Sequence, residues 1–223
     1  MLDNIVEDLT VGGETSPAVS APVKYKGIAI LGSHPQTKAQ APFNDPGWLV
    51  YACSPDNTPH GLSPHRGALP RVDAWFEVHV PVFDKTRPYA YLDWLKNVPK
   101  VYMRDRVAMT FRTSGGELLF PNAVPYPEKE VKERFGPFTL TSSIALIMAK
   151  AILDIEDMRG KGLIGCDGEP PMMGLWGILQ CSDREYKDQR QGTQNMIWNA
   201  NQSGIKMRVA AESGLFEPPP EDF

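Results

Sequence analysis

The densest chemistry in the sequence is a four-residue set, Glu185, Tyr186, Gln189 and Arg190. At helical spacing, 185 and 189 share one face and 186 and 190 the next. Arg190 could then hold a phosphate through two parallel N–H donors, Tyr186 could stack or donate, and Glu185 could act as a base. The plainer reading is a solvated helix with an internal Glu–Arg pair. His79 closes the run Trp75-Phe76-Glu77-Val78-His79, with Glu77 two residues earlier on the same strand face. A strand-terminal histidine can serve as general acid–base or phosphate donor. A half-buried histidine satisfied by a carbonyl is its commoner use.

Binding groups cluster at two apolar runs. Gly27-Ile28-Ala29-Ile30-Leu31 leads into Gly32, Ser33 and His34, and Trp48-Leu49-Val50-Tyr51-Ala52-Cys53 leads into Ser54, Asp56 and Asn57. In a parallel sheet, ligands bind at the carboxyl ends of the strands. Gly32 lets backbone approach closely there, and Ser33 and His34 offer donors. The spacing is not the GxGxxG fingerprint. Thr141 or Ser142 caps a long helix, and a helix amino end favours phosphate or carboxylate. His60 and His65 share a Pro-rich loop with Asp56, too weak a pattern for a metal. Cys53, Cys166 and Cys181 form no CxxC pair and no Cys/His ligand spacing. No metal and no cofactor are expected, the nucleotide being a substrate, and the cysteines read as inert free thiols.

The elements that must position these groups alternate. Strands are predicted at 27–31, 48–53, 75–79, 101–103, 172–179 and 205–209, with helices at 88–97, 126–135, 141–158 and 183–203. Residues 107–111 and 117–120 flank Ser114-Gly115-Gly116 and read as a β-hairpin. The interior of 141–158 is apolar nearly all round, as in a buried helix. Trp75, Trp94, Trp176 and Trp198 are expected in the core rather than as stacking platforms. The alternation predicts an α/β, Rossmann-like three-layer fold with a mainly parallel central sheet.

Residues 1–24 read as a flexible N-terminal arm, 25–216 as a single α/β nucleotide-binding-like domain, and 217–223 as a loose acidic tail. An arm of this kind packs on a neighbouring subunit, so a homo-oligomer is expected. With 223 residues and 42% hydrophobic content, the chain can bury a core of its own. The formal charge of -4 gives no general basic footprint for nucleic acid. No apolar run is long enough for a membrane span, and the acidic amino end lacks the order of a signal peptide. A cytoplasmic protein is expected.

The second half carries a resemblance. FGPFTLTSSIALIMAKAI, MGLWGILQ, REYKDQRQG and SGIKMRVAAESGLF follow in the order of phage-encoded Rossmann-like proteins. That group resembles the pterin-pyrophosphokinase-like family and, distantly, the family-42 sialyltransferases. LPRVDAWFEVH, PKVYM and PNAVPYPEKEV fit the same group, and the resemblance spans roughly 26–217. It implies nucleotide contacts at Gly32, Ser33, Ser54, Thr141 and Ser142. It also implies a metal-independent, glycosyltransferase-like transferase of a phage, acting on a nucleotide-activated donor in the host cytoplasm, with a nucleic acid or glycan as acceptor. Two features depart from the pattern. The run ending in an acid in the phage proteins has Leu179 here, followed by Gln180. No histidine follows His79, so the late catalytic histidine of the sialyltransferases has no counterpart. The alternative is a non-catalytic nucleotide-binding or virion-associated phage protein.

Overall fold

A computed structural model describes residues 24–32, 34–53, 69–78, 89–165, 168–178, 184–210 and 213–216. Residues 1–23 of the N-terminal arm, Ser33, Ser54, Asn57, His60, His65, His79, Leu179, Gln180 and the acidic tail lie outside the described residues. So do Cys166 and Cys181.

Seven strands form one sheet: β1 (Gly27–Leu31), β2 (Trp48–Ala52), β3 (Ala74–Glu77), β4 (Val101–Met103), β5 (Ala123–Pro125), β6 (Met172–Trp176) and β7 (Lys206–Val209). Their order is β5-β4-β3-β2-β1-β6-β7. Every pairing is parallel, with Gly27 opposite Trp48 on one side and Met172 on the other. The fold is therefore an α/β Rossmann-like architecture. The chain lays down β1 to β5 in one direction, then returns to place β6 against the far side of β1.

Period-two alternation sorts the core onto two faces. Ile28 and Ile30 join Tyr51, Phe76 and Tyr102 on one face, under α3 (Glu128–Phe135), α4 (Ser143–Gly160) and α5 (Arg184–Gln202). Ala29 and Leu31 join Val50, Trp75 and Met103 on the other, with α2 (Tyr89–Leu95). A short α1 (Pro35–Lys38) follows β1. The central strands are buried on both faces, so they read as continuous apolar runs. Edge strand β7 instead alternates exposed Lys206 and Arg208 with half-buried Met207 and Val209.

Three expectations are corrected. The hairpin at 107–120 reduces to one antiparallel bridge, Arg112 to Leu118, with a 3-10 turn at Ala108–Thr110 in place of its first strand. The extra strand is β5, three residues ending in Pro125, which sequence reading had missed. The strand predicted over 172–179 stops at Trp176, because Gly177 turns the chain with φ 65°. Trp75 and Trp176 are core residues, but Trp198 is 62% exposed.

Candidate functional site

In a parallel sheet all strand carboxyl ends share one edge. Here the topological switch lies between β1 and β6, where an open α/β sheet offers its binding crevice. The seam between these two strand ends is closed by backbone. Gly32 N donates to Trp176 O at 2.8 Å, and His34 N donates to Gly177 O at 2.7 Å. Thr37, 2% exposed, accepts from Gly177 N through its Oγ1 at 2.8 Å. A Cβ on Gly32 would lie 2.4 Å from Gly177 O, and one on Gly177 would lie 2.5 Å from Gly32 O. The close approach that Gly32 permits is thus to Gly177. A ligand at this edge must lie over the seam or over the ends of β2 and β3, not between β1 and β6. His34 stands at the amino end of α1, half-buried, with no side-chain capping bond.

The amino end of α4 reaches the same edge, because α4 follows β5 and runs back antiparallel to the strands. Its other end lies where β7 begins: Arg159 donates to Ser203 O at 3.0 Å. Ser142 is the cap, its Oγ accepting from Ala145 N at 3.0 Å. That hydroxyl also lies 3.5 Å from Thr193 Oγ1 on α5. Gly192 makes the contact possible, since a Cβ there would sit 2.3 Å from Thr141 Oγ1 and 2.8 Å from Thr139 O. Helix α5 therefore packs tightly over residues 139–142.

The set at 185–190 falls in the first turns of α5. Gln189 offers its carbonyl to Thr193 Oγ1 at 3.1 Å. Arg190 Nε donates to Leu215 O at 3.3 Å, and the Gln194 amide donates to the same carbonyl. Arg190 thus ties the segment 213–216 to α5. The side chains of Glu185 and Tyr186 lie outside the described residues. The structure brings Gly32, His34, Ser142 and the start of α5 to one edge and uses Arg190 and Ser142 to hold the fold there.

Two polar constellations escaped the sequence reading. At the end of β3, Glu77 is 2% exposed and accepts from the Tyr91 hydroxyl, while Trp75 Nε1 donates to the Tyr91 oxygen at 2.9 Å. Burial, followed by the negative charge of Glu77, pushes the neighbouring Cys53 thiol up to about 12, which matches an inert thiol. An acid inside the apolar run from Ala74 to Val78 was the available signal. The second constellation lies away from this edge, beside a groove of about 360 Å³ between α3 and α4 lined in part by Tyr102, Pro125, Lys150 and Asp154. Tyr51 Oη donates to Asp154 at 2.8 Å, and Lys150 donates to the same carboxylate while its ammonium stands 4.9 Å over the Tyr102 ring. Burial pulls the Lys150 pKa down, but the charge of Asp154 and its hydrogen bond outweigh that and leave it raised. Two charges four apart in an apolar helix were the signal here. They neutralise each other, which makes the pair a half-buried brace.

At the end of β4, Arg104 donates to both oxygens of Glu128, at 3.2 and 2.8 Å, and Lys132 pairs with the same carboxylate at 2.6 Å. These hydrogen bonds, Arg104 first, hold Glu128 down at about 2.

No family model, curated protein or solved structure matches the chain. Among the described residues no cluster of three or more His, Cys, Asp or Glu could hold a metal, and no helix is long and apolar enough to cross a membrane. What the arrangement can do chemically follows from its geometry alone. Among the described residues, Gly32, His34 and the amino ends of α4 and α5 lie at one edge, and Glu77 ends β3 there.

Proposed function

We propose that the chain binds a nucleotide-type ligand at the carboxyl edge of its sheet and transfers a group from a nucleotide-linked donor, without a metal. The observation that carries this reading is the strand order. The reversal between β1 and β6 puts the ends of β1, β2 and β3, and the amino ends of α4 and α5, on one side of the molecule. His34 stands at the amino end of α1 next to the seam, and Glu185 and Tyr186 lie in the first turn of α5. Of the positions named in the phage resemblance, Gly32, Thr141 and Ser142 lie among the described residues at this edge, and that resemblance is the basis for proposing a nucleic-acid or glycan acceptor.

A second reading, nucleotide binding without turnover, is favoured by one feature. Leu179 stands where the phage proteins carry an acid, leaving no carboxylate at that position for catalysis.

Thermal unfolding against nucleotides and nucleotide-sugars tests both. A ligand at 100 times its Kd adds about 2.7 kcal/mol to the native state, a rise of roughly 5–10 °C for a chain of this size. Binding with release of free nucleotide supports the transferase. Binding without release supports the second reading, and a flat response across the panel refutes both.

A further inference from the structure

Strand β7 is the outer strand of the sheet, and among the described residues it pairs only with β6. Lys206 N donates to Pro171 O at 2.9 Å, so Lys206 and Arg208 turn their main chain toward β6. Met207 and Val209, which alternate with them, turn theirs outward. That row of donors and acceptors is a template for one more strand. The side chains beside it narrow the choice. Lys206 and Arg208 are exposed, with Arg208 standing 5.5 Å over the Trp176 ring. Among the described residues neither meets a carboxylate. Met207 and Val209 are half-buried against the core on the other face. A second β7 laid antiparallel along this edge would bring the lysine and arginine of two copies together, and like charges opposed across strands destabilise. The edge fits an extended segment that is acidic and partly apolar.

We propose that the occupant is this chain's own acidic amino-terminal segment, residues 5–11, added as an antiparallel strand beside β7. Ile5, Val6, Leu9 and Val11 supply apolar side chains, and Glu7 and Asp8 supply the charge. Residues 1–23 contain four acids and no lysine or arginine, so they account for the whole formal charge of -4. The chain enters the fold close to this edge. Tyr25 is bridged to Ile164, its N donating to Leu163 O at 2.7 Å. Gly27 and Lys206 both lie opposite Met172, so β1 and β7 begin level with each other, two strand spacings or about 10 Å apart. Residues 12–23 span up to about 40 Å when extended, enough to pass the starts of β6 and β7. A segment joined to β1 at the amino edge lies along β7 in the antiparallel sense by the shortest path. Otherwise parallel sheets of α/β folds commonly carry such an antiparallel edge strand. This contact is independent of any ligand at the carboxyl edge, which is the opposite end of the strands.

The test is hydrogen exchange of the Met207 and Val209 amides in the full chain. Neither N–H faces β6, so slow exchange there reports a further strand. Slow exchange is expected in the wild type. E7K/D8K is expected to speed it roughly tenfold, the effect of turning two exposed pairs from attraction to repulsion. Combining E7K/D8K with K206E/R208E restores the attraction and is expected to restore the slow exchange. The adjacent prolines of L9P/T10P remove one donor facing β7 whichever register holds. They are expected to speed exchange at the same two amides while those of β1 stay slow. Wild-type amides at 207 and 209 exchanging as in an unstructured chain overturn the proposal, as does slow exchange that survives L9P/T10P. Slow exchange that is lost on dilution, with a dimer seen in sedimentation, assigns the segment to a second copy and overturns the pairing within one chain.

Discussion

Gly177→Ala is the sharpest perturbation of the edge. Two penalties act together at this position. Its φ of 65° is left-handed, which costs an L residue about 1–2 kcal/mol. The added methyl would also sit 2.5 Å from Gly32 O and 3.1 Å from His34 O. Both are backbone atoms pinned by the seam's hydrogen bonds, so they cannot swing aside, and overpacking of this kind costs about 1–3 kcal/mol. The sum is about 2–5 kcal/mol, or a fall in Tm of roughly 4–20 °C for a chain of this length. Gly32→Ala meets only the steric half, since its methyl would strike Gly177 O at 2.4 Å without a left-handed backbone. It should lose less, about 1–3 kcal/mol. The two methyls press on the same seam, so the double variant should fall short of the sum. Urea unfolding of the three variants at matched pH measures all of this. A Gly177→Ala protein within about 0.5 kcal/mol of wild type, the scatter expected of an inert surface change, would refute the rigid-seam argument.

Ser142→Ala removes the cap of α4 and should cost about 1 kcal/mol in denaturant unfolding. If Ser142 only caps, the thermal shift with nucleotide should survive the change; its loss would assign phosphate binding to that hydroxyl. Glu128 has a folded pKa of about 2, below its ordinary 4.5, so its contribution is present above the ordinary value and lost as pH falls through the folded one. Acid unfolding between about pH 4.5 and 2 should therefore be shallower in Glu128→Gln than in wild type, and coincident pH–stability curves would contradict the Arg104–Glu128–Lys132 network.

The parts of the fold legible in sequence were those whose burial is two-sided. Gly27–Leu31, Trp48–Ala52 and Met172–Trp176 are continuous apolar runs because helices cover both of their faces. Strand β5 was hidden because three residues ending in proline carry no period, and proline suits only an edge. The false hairpin had convincing alternation around Gly115 and Gly116, but Phe111 and Leu118 are each 40% exposed. With little face to bury, alternation alone does not make a ladder. At the site, the cap at Ser142 was readable from residue type and position. Its burial beneath α5 was not, because Gly192 looks like any helical glycine until the partner it admits is known. Gly32 was read as a place where backbone approaches a ligand, and the group found against it is the backbone of Gly177, far along the chain.

The placement of β6 has a consequence for biosynthesis. During translation β1 can pair with β2 early, but its other flank waits for Met172–Trp176 to leave the ribosome. Until then the apolar strand Gly27–Leu31 presents an unfilled row of main-chain donors and acceptors, the template from which aggregation starts. The nascent chain is thus most vulnerable in the interval when α4 is being made, and holdase protection or slowed elongation should matter most there.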